Sequence, residues 1–287
     1  MPLELFFAII IVLVLLIGSY TDIKTREVPD WVNYAFIVTA LGVRVIWSAA
    51  SYDWVYIAEG VLGLLACVAL AYAMFYAGQW GGGDAKMIMG LGAMIGLDLH
   101  INSFLLGFVI NTFIVGAVYA LLFSVYLAIK NRDKFKKEFK KLFYTRKVMM
   151  MRKMIIISAA IMLIVIFFVN INEIKAIMLA LVILYVATFY LWIFVRIIER
   201  SSMYKKVTPD KLTEGDWIAK DVFVAGKRIC GPKDLGISIE QINKLKRFKK
   251  QKKINKILIK EGIPFVPSFL LAFGVTWVWG NLLILFL

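Results

Sequence analysis

Apolar runs of about 20 residues recur along this chain, and that repetition limits the fold more than any motif does. About 20 helical residues span roughly 30 Å, the thickness of bilayer hydrocarbon. Lipid accepts only backbone whose N–H and C=O groups are satisfied within the protein. The runs read as helices at roughly 3–20, 31–49, 55–77, 86–97, 103–129, 154–170, 174–198 and 266–286. With 61% hydrophobic residues and a mean hydropathy of +0.80, the 287 residues leave no room for a large soluble catalytic domain. The expected fold is an all-α polytopic membrane protein of about eight membrane helices, one of them short, with a small α+β cytoplasmic insertion before the last helix. Its expected parts are 1–198 (helices one to seven, with a basic cytoplasmic loop at 130–153), 199–263 (the insertion) and 264–287 (the last helix). Met1-Pro-Leu-Glu has no basic n-region and no small-residue cleavage pattern precedes Asp22, so the first run is expected to be a retained helix.

Charge gives the orientation, because Lys and Arg in short loops stay on the cytoplasmic side. Of the 34 basic residues, 11 lie in 130–153 and 17 in 199–262, while Lys24, Arg26, Lys86 and Arg196 fall at helix ends on the same side. Only Arg44 and Lys175 fall toward the other side, so both termini are expected outside the cytoplasm. The net charge of +15 is nearly all loop charge. It answers to topology, and no nucleic-acid partner is expected.

The short run, 86–97, would reach only about 18 Å. It must nevertheless cross, because 78–85 and 130–153 can both be cytoplasmic only if an even number of crossings separates them. A helix that fails to span needs shielding by protein or a water-filled cavity. Gly90, Gly92, Ala93 and Gly96 offer the small surface that lets membrane helices approach closely.

Within 199–263, Trp217 to Gly226 alternates and meets a turn at Ala225-Gly226, predicting a short hairpin. Ser238-Ile-Glu-Gln241 is a capping box opening a helix with Ile239, Ile242, Leu245 and Phe248 on one stripe. Its trailing Lys249, Lys250, Lys252 and Lys253 are placed to meet anionic headgroups. The two cysteines, Cys67 in an apolar run and Cys230 in a charged one, suggest neither a disulfide framework nor a zinc site. No metal or cofactor is expected.

Two acids stand at the cytoplasmic boundary, where an ionisable group is expensive and marks a candidate site. Asp22 ends the first run and Asp84 closes Gly81-Gly-Gly-Asp84. Paired carboxylates that cannot both ionise share one proton, so one activates a water as base while the other donates to a carbonyl oxygen. That is aspartic-protease chemistry. Gly81 and Gly83 are expected to permit a special backbone conformation or a close approach.

Gly81-x-Gly83-Asp84-x-Lys86, running into Met-Gly-Leu-Gly-Ala-Met-Ile-Gly, resembles the signature of the type IV prepilin peptidases, membrane aspartic proteases of the GxGD group. Asp22-Ile-Lys-Thr-Arg-Glu-Val-Pro29-Asp30-Trp is similar to that family's first-aspartate region. Pro264-Phe-Val-Pro267 is similar to its proline-rich C-terminal element. The resemblance implies catalytic Asp22 and Asp84, site-shaping Gly81, Gly83 and Lys86, and removal of a short basic leader from a membrane-inserted precursor at the cytoplasmic face. The loop from Asp22 to Trp31 is too short for the four-cysteine domain of bacterial members, so methyltransferase activity is not implied. The compact first loop and the 199–263 insertion look more like the archaeal branch, whose partners are prepilin or preflagellin (archaellin) precursors.

Glu27 and Asp30 are candidate contacts for the leader's lysines, or else plain solvated residues. Lys86 either tunes the pair or snorkels to the interface. Tyr20 reads as an interfacial anchor, His100 as a loop residue on the outer side, and Asp210, Asp216, Asp221 and Asp234 as solvated acids of the insertion. A different reading makes the chain a polytopic ion or solute transporter using Asp22 and Asp84 as ion or proton sites. A metal hydrolase lacks a histidine on that side, and a presenilin-like protease lacks its Pro-Ala-Leu element.

Overall fold

The computed structural model describes residues 3–98, 100 and 103–285. The chain is an all-α polytopic membrane protein with a small β region. Among the described residues, six helices are long and apolar enough to cross a bilayer: α1 (Leu3–Thr25), α2 (Asp30–Ser51), α3 (Val55–Tyr76), α5 (Phe104–Lys130), α7 (Arg146–Phe167) and α8 (Asn172–Ile198). Between α3 and α5 lies α4 (Gly82–Ile95), and α10 (Val266–Trp279) opens the C-terminal segment. Both have 14 residues, a length of about 21 Å. Among the described residues, two of the expected membrane helices are therefore short, where one was expected. The expected span 266–286 is interrupted at Gly280, which takes φ 68° and separates α10 from α11 (Leu282–Leu285).

The chain divides into two compact units. The first holds residues 1–122, 207–257 and 261–287. Its core is built around α4, with Met87, Ile88, Leu91, Ala93 and Met94 sealed from solvent by Phe36 and Ala40 of α2, Cys67 and Ala71 of α3, Leu15 of α1 and Phe269 of α10. Shielding by protein is what so short an apolar helix was expected to need. At Gly92 a Cβ would lie 2.4 Å from the Gly63 carbonyl oxygen of α3, and at Gly90 a Cβ would strike the Phe36 ring of α2 at 2.4 Å. The small-residue seam thus serves two neighbours at once.

Both short helices end on polar side chains from long ones. The last four carbonyls of a helix have no partner within it. Arg44 of α2, 2% exposed, donates through Nη2 to Met94 O (3.0 Å) and Ile95 O (2.6 Å), and reaches Tyr56 O and Glu59 (3.8 Å). Asn111 of α5 donates through Nδ2 to Gly280 O (2.7 Å) and Thr276 Oγ1 (2.9 Å), while its Oδ1 accepts Leu282 N–H (3.0 Å).

The first unit also carries most of the insertion: β2 (Trp217–Ile218), the hairpin β3 (Val222–Val224) and β4 (Lys227–Cys230), and α9 (Ile239–Lys250). The hairpin pairs antiparallel and turns at Ala225 (φ 49°) and Gly226 (φ 78°), as the dipeptide predicts. The Ser238 capping box is formed in both directions, Gln241 N–H to Ser238 Oγ and Ser238 N–H to Gln241 Oε1.

The second unit holds residues 123–206 and 258–260. Here the expected loop 130–153 is largely helical. It contains α6 (Arg132–Phe143), whose Phe135, Phe139 and Phe143 stack along one face, and α7 starts at Arg146 rather than 154. Lysines are good helix formers, and an aromatic at every fourth position gives an apolar stripe even in a basic segment. A π-helical turn at Glu199–Met203 follows α8 and leads into β1 (Tyr204–Val207), and Glu199 is paired with Lys260 (2.8 Å) of β5 (Ile257–Lys260).

Candidate active site

The first helix does not stop where its apolar run does. It continues through Asp22 to Thr25, and Arg26, at φ 65°, closes it in the left-handed conformation with its N–H on the Asp22 carbonyl (2.9 Å). Pro29 then caps α2, and the turn between brings Val28 against α4. Asp84 is the third residue of α4 rather than a loop residue. One acid ends a helix and the other begins one.

Each carboxylate accepts a backbone N–H at the start of a short helix. Asp84 Oδ2 reaches back to Gly81 N–H (3.0 Å), the residue that caps α4. Asp22, 6% exposed, takes the N–H of Val266 on Oδ2 (3.0 Å), the first residue of α10. The first N–H groups of a helix lack partners within it and carry the positive end of its dipole, so a carboxylate there satisfies a donor and meets favourable charge. A hydrogen bond to a charged acceptor contributes about 1.5–3 kcal/mol. Asp22 and Asp84 lie close enough to interact electrostatically, and Tyr119 of α5 and Arg26 lie within the same reach of Asp22.

The other expected site residues divide. At Gly83 a Cβ would lie 3.3 Å from the Val28 nitrogen, a tight approach to backbone. Gly81 has φ −74° and a built Cβ would sit 3.4 Å from Asp84 Oδ2, so neither conformation nor space demands glycine there. Lys86 is joined to Asp30, Nζ to Oδ1 at 2.6 Å, and lies over the Tyr34 ring at 5.3 Å. It thus ties α4 to the start of α2. Glu27 is exposed, and Tyr20 is 64% exposed with its hydroxyl on Lys24 (3.3 Å).

Among the acids of the insertion, Asp210 pairs with Lys249, and Asp221 and Asp234 share Arg228. Asp216 departs from the solvated expectation: it is half-buried and accepts Thr213 N–H (2.9 Å). Burial pushes its carboxyl above the usual range, the Thr213 bond opposes this, and the charge of Glu27 adds to the rise. His100 sits in a loop beside Asp98.

Two residues next to the amide donors had no weight in the sequence reading. Trp80 precedes Gly81 and is 3% exposed; Phe265 precedes Val266 and contacts it. The only local signal was their adjacency to a motif glycine and to the proline-rich element.

The helices and the site define a class: polytopic membrane proteins with acids from two different helices near enough to interact electrostatically. Residues 9–121 match the family model described as the type IV leader peptidase family, which bears out over that stretch the resemblance carried by the motifs. The chain is 41% identical over 81 residues to the preflagellin peptidase of Methanocaldococcus jannaschii, covering 28% of this chain and 34% of that protein. It is 30% identical over 150 residues to the preflagellin peptidase of Methanococcus maripaludis (47% and 64%), and 28% identical over 127 residues to that of Methanococcus voltae (41% and 54%). The matched stretches thus span between about a third and just under two thirds of these relatives. No solved structure matches the chain.

Proposed function

We propose that the chain is an aspartic endopeptidase that removes the short basic leader of membrane-inserted preflagellin or pilin-like precursors, with Asp22 and Asp84 as its catalytic pair. The observation that carries this reading is that each of two acids, near enough to interact electrostatically, is held by one N–H at the start of a short helix. Two carboxylates so placed do not both ionise, so one holds a proton. The ionised member takes a proton from water as the oxygen attacks the scissile carbonyl, the protonated member donates to the carbonyl oxygen, and collapse of the tetrahedral species expels the amine. Both termini lie outside the cytoplasm and the pair faces it. Basic leaders stay on that side by the same charge rule that orients the enzyme. Glu27 and Asp30 are proposed to meet the leader's lysines, Asp30 exchanging Lys86 for a substrate cation.

The test is incubation of the purified full chain in detergent with a precursor bearing a basic leader, read by mass. Cleavage at the junction of leader and hydrophobic helix is expected. An intact precursor, together with ion movement into liposomes, would replace this reading with the transporter one.

A further inference from the structure

We infer that Trp80 and Phe265 form an aromatic brace that sets the spacing of the two carboxylates, and so are positioning residues for the reaction. The inference rests on the peptidase reading. Asp84 is held by the N–H of Gly81 and Asp22 by the N–H of Val266, each at 3.0 Å. The residue before each donor is aromatic, and the two rings pack on one another with centroids 5.9 Å apart. A peptide plane is rigid, so the placement of residue i governs where the N–H of residue i+1 points. The path from one acid to the other therefore runs from Asp84 through Gly81 to Trp80, across to Phe265, and through Val266 to Asp22.

The rings are held firmly enough to serve this purpose. Phe269 meets Trp80 edge-on (5.5 Å, 88°) and Phe265 edge-on (5.4 Å, 89°), and Phe113 of α5 stacks on Trp80 (6.2 Å, 13°). The α5 backbone gives way to the brace at Gly116, where a Cβ would lie 2.8 Å from Phe265 Cζ. Aromatic pairs in such offset and edge-to-face arrangements contribute beyond the area they bury. Proximity catalysis tolerates little displacement: a shift of about 1 Å costs on the order of 100-fold in rate.

A double-mutant cycle on cleavage by the full chain tests the brace. Trp80→Ala and Phe265→Ala are each expected to lower kcat by about 10- to 100-fold with KM within about threefold, and the double variant should be no slower than the slower single. Trp80→Phe, which keeps a ring, should stay within about threefold of the unmodified protein. If an alanine variant fails to fold, Trp80→Leu and Phe265→Leu, which keep apolar volume, go through the same cycle. Two rings in contact couple in stability whatever their role, so the brace is read from kcat at matched folded protein: losses that multiply, or an unchanged kcat in either single, would overturn the brace while leaving the peptidase reading intact. A wild type that cuts no precursor would instead overturn that reading, and the brace with it.

Discussion

At Gly83 a Cβ would press on the Val28 backbone nitrogen at 3.3 Å, whereas at Gly81 it would make ordinary contact with Asp84 Oδ2 at 3.4 Å. Of these two motif glycines, only Gly83 is thus required by packing. Gly81→Ala is expected to fold and to cleave within a few-fold of wild type. Gly83→Ala should destabilise by roughly 1–3 kcal/mol, the usual cost of overpacking. Thermal melts and initial rates of the two variants check this, and equal effects would contradict it. Lys86 offers a second contrast at this scale. Its partner Asp30 is mostly exposed, and an exposed ion pair contributes no more than about 1 kcal/mol. Lys86→Met should leave the melting temperature nearly unchanged. A large loss of stability would mean that the pair does more than join α4 to α2.

The two 14-residue helices are the elements that make the site. At the start of each an aspartate carboxylate accepts an N–H, and each ends at a glycine with positive φ, Gly96 at 79° and Gly280 at 68°. Each end is closed by a buried polar side chain from a full-length neighbour. Replacing Arg44 by Met would strand the Met94 and Ile95 carbonyls, at a cost of several kcal/mol if both stay buried. Asn111→Leu would free the break after α10, and because α10 carries the N–H that holds Asp22, its cleavage rate should fall with its stability. Melts and rates of both variants measure this; stability equal to wild type would contradict the capping roles. That the short run 86–97 forms a helix shielded by protein was legible from its length and its small residues. The shortness of α10 was not, since Gly280-Asn281 sits inside an apolar run and the reason for the break is a side chain 169 residues away. Helix α6 was hidden by its charge, because lysines signal a loop to a hydropathy reading while favouring a helix on a half-apolar face. Asp22 and Asp84 drew attention in the sequence as expensive charges next to apolar runs, and the structure shows each accepting an N–H at the start of a short helix. Trp80 and Phe265 drew none, because their meeting is tertiary and aromatic residues are common at bilayer interfaces.

For the whole molecule, the distribution of basic residues predicts both termini and the 50–54 turn on one side, with 130–153 and the insertion on the other. Both native cysteines are buried, so introduced ones can be labelled against a low background. In intact cells or sealed right-side-out vesicles, Ser51→Cys should react with an impermeant maleimide and Lys137→Cys should react only after permeabilisation. The opposite pattern would reverse the proposed orientation and move the aspartates away from a cytoplasmic leader. The central claim is that Asp22 and Asp84 work as one catalytic unit. The most direct measurement is the single-turnover rate of precursor cleavage by Asp22→Asn, Asp84→Asn and the double variant, each shown to be folded. A loss of at least about 1,000-fold is expected for either single, with no further loss in the double, since members of one catalytic unit are strongly non-additive. Normal cleavage by either single variant would contradict it.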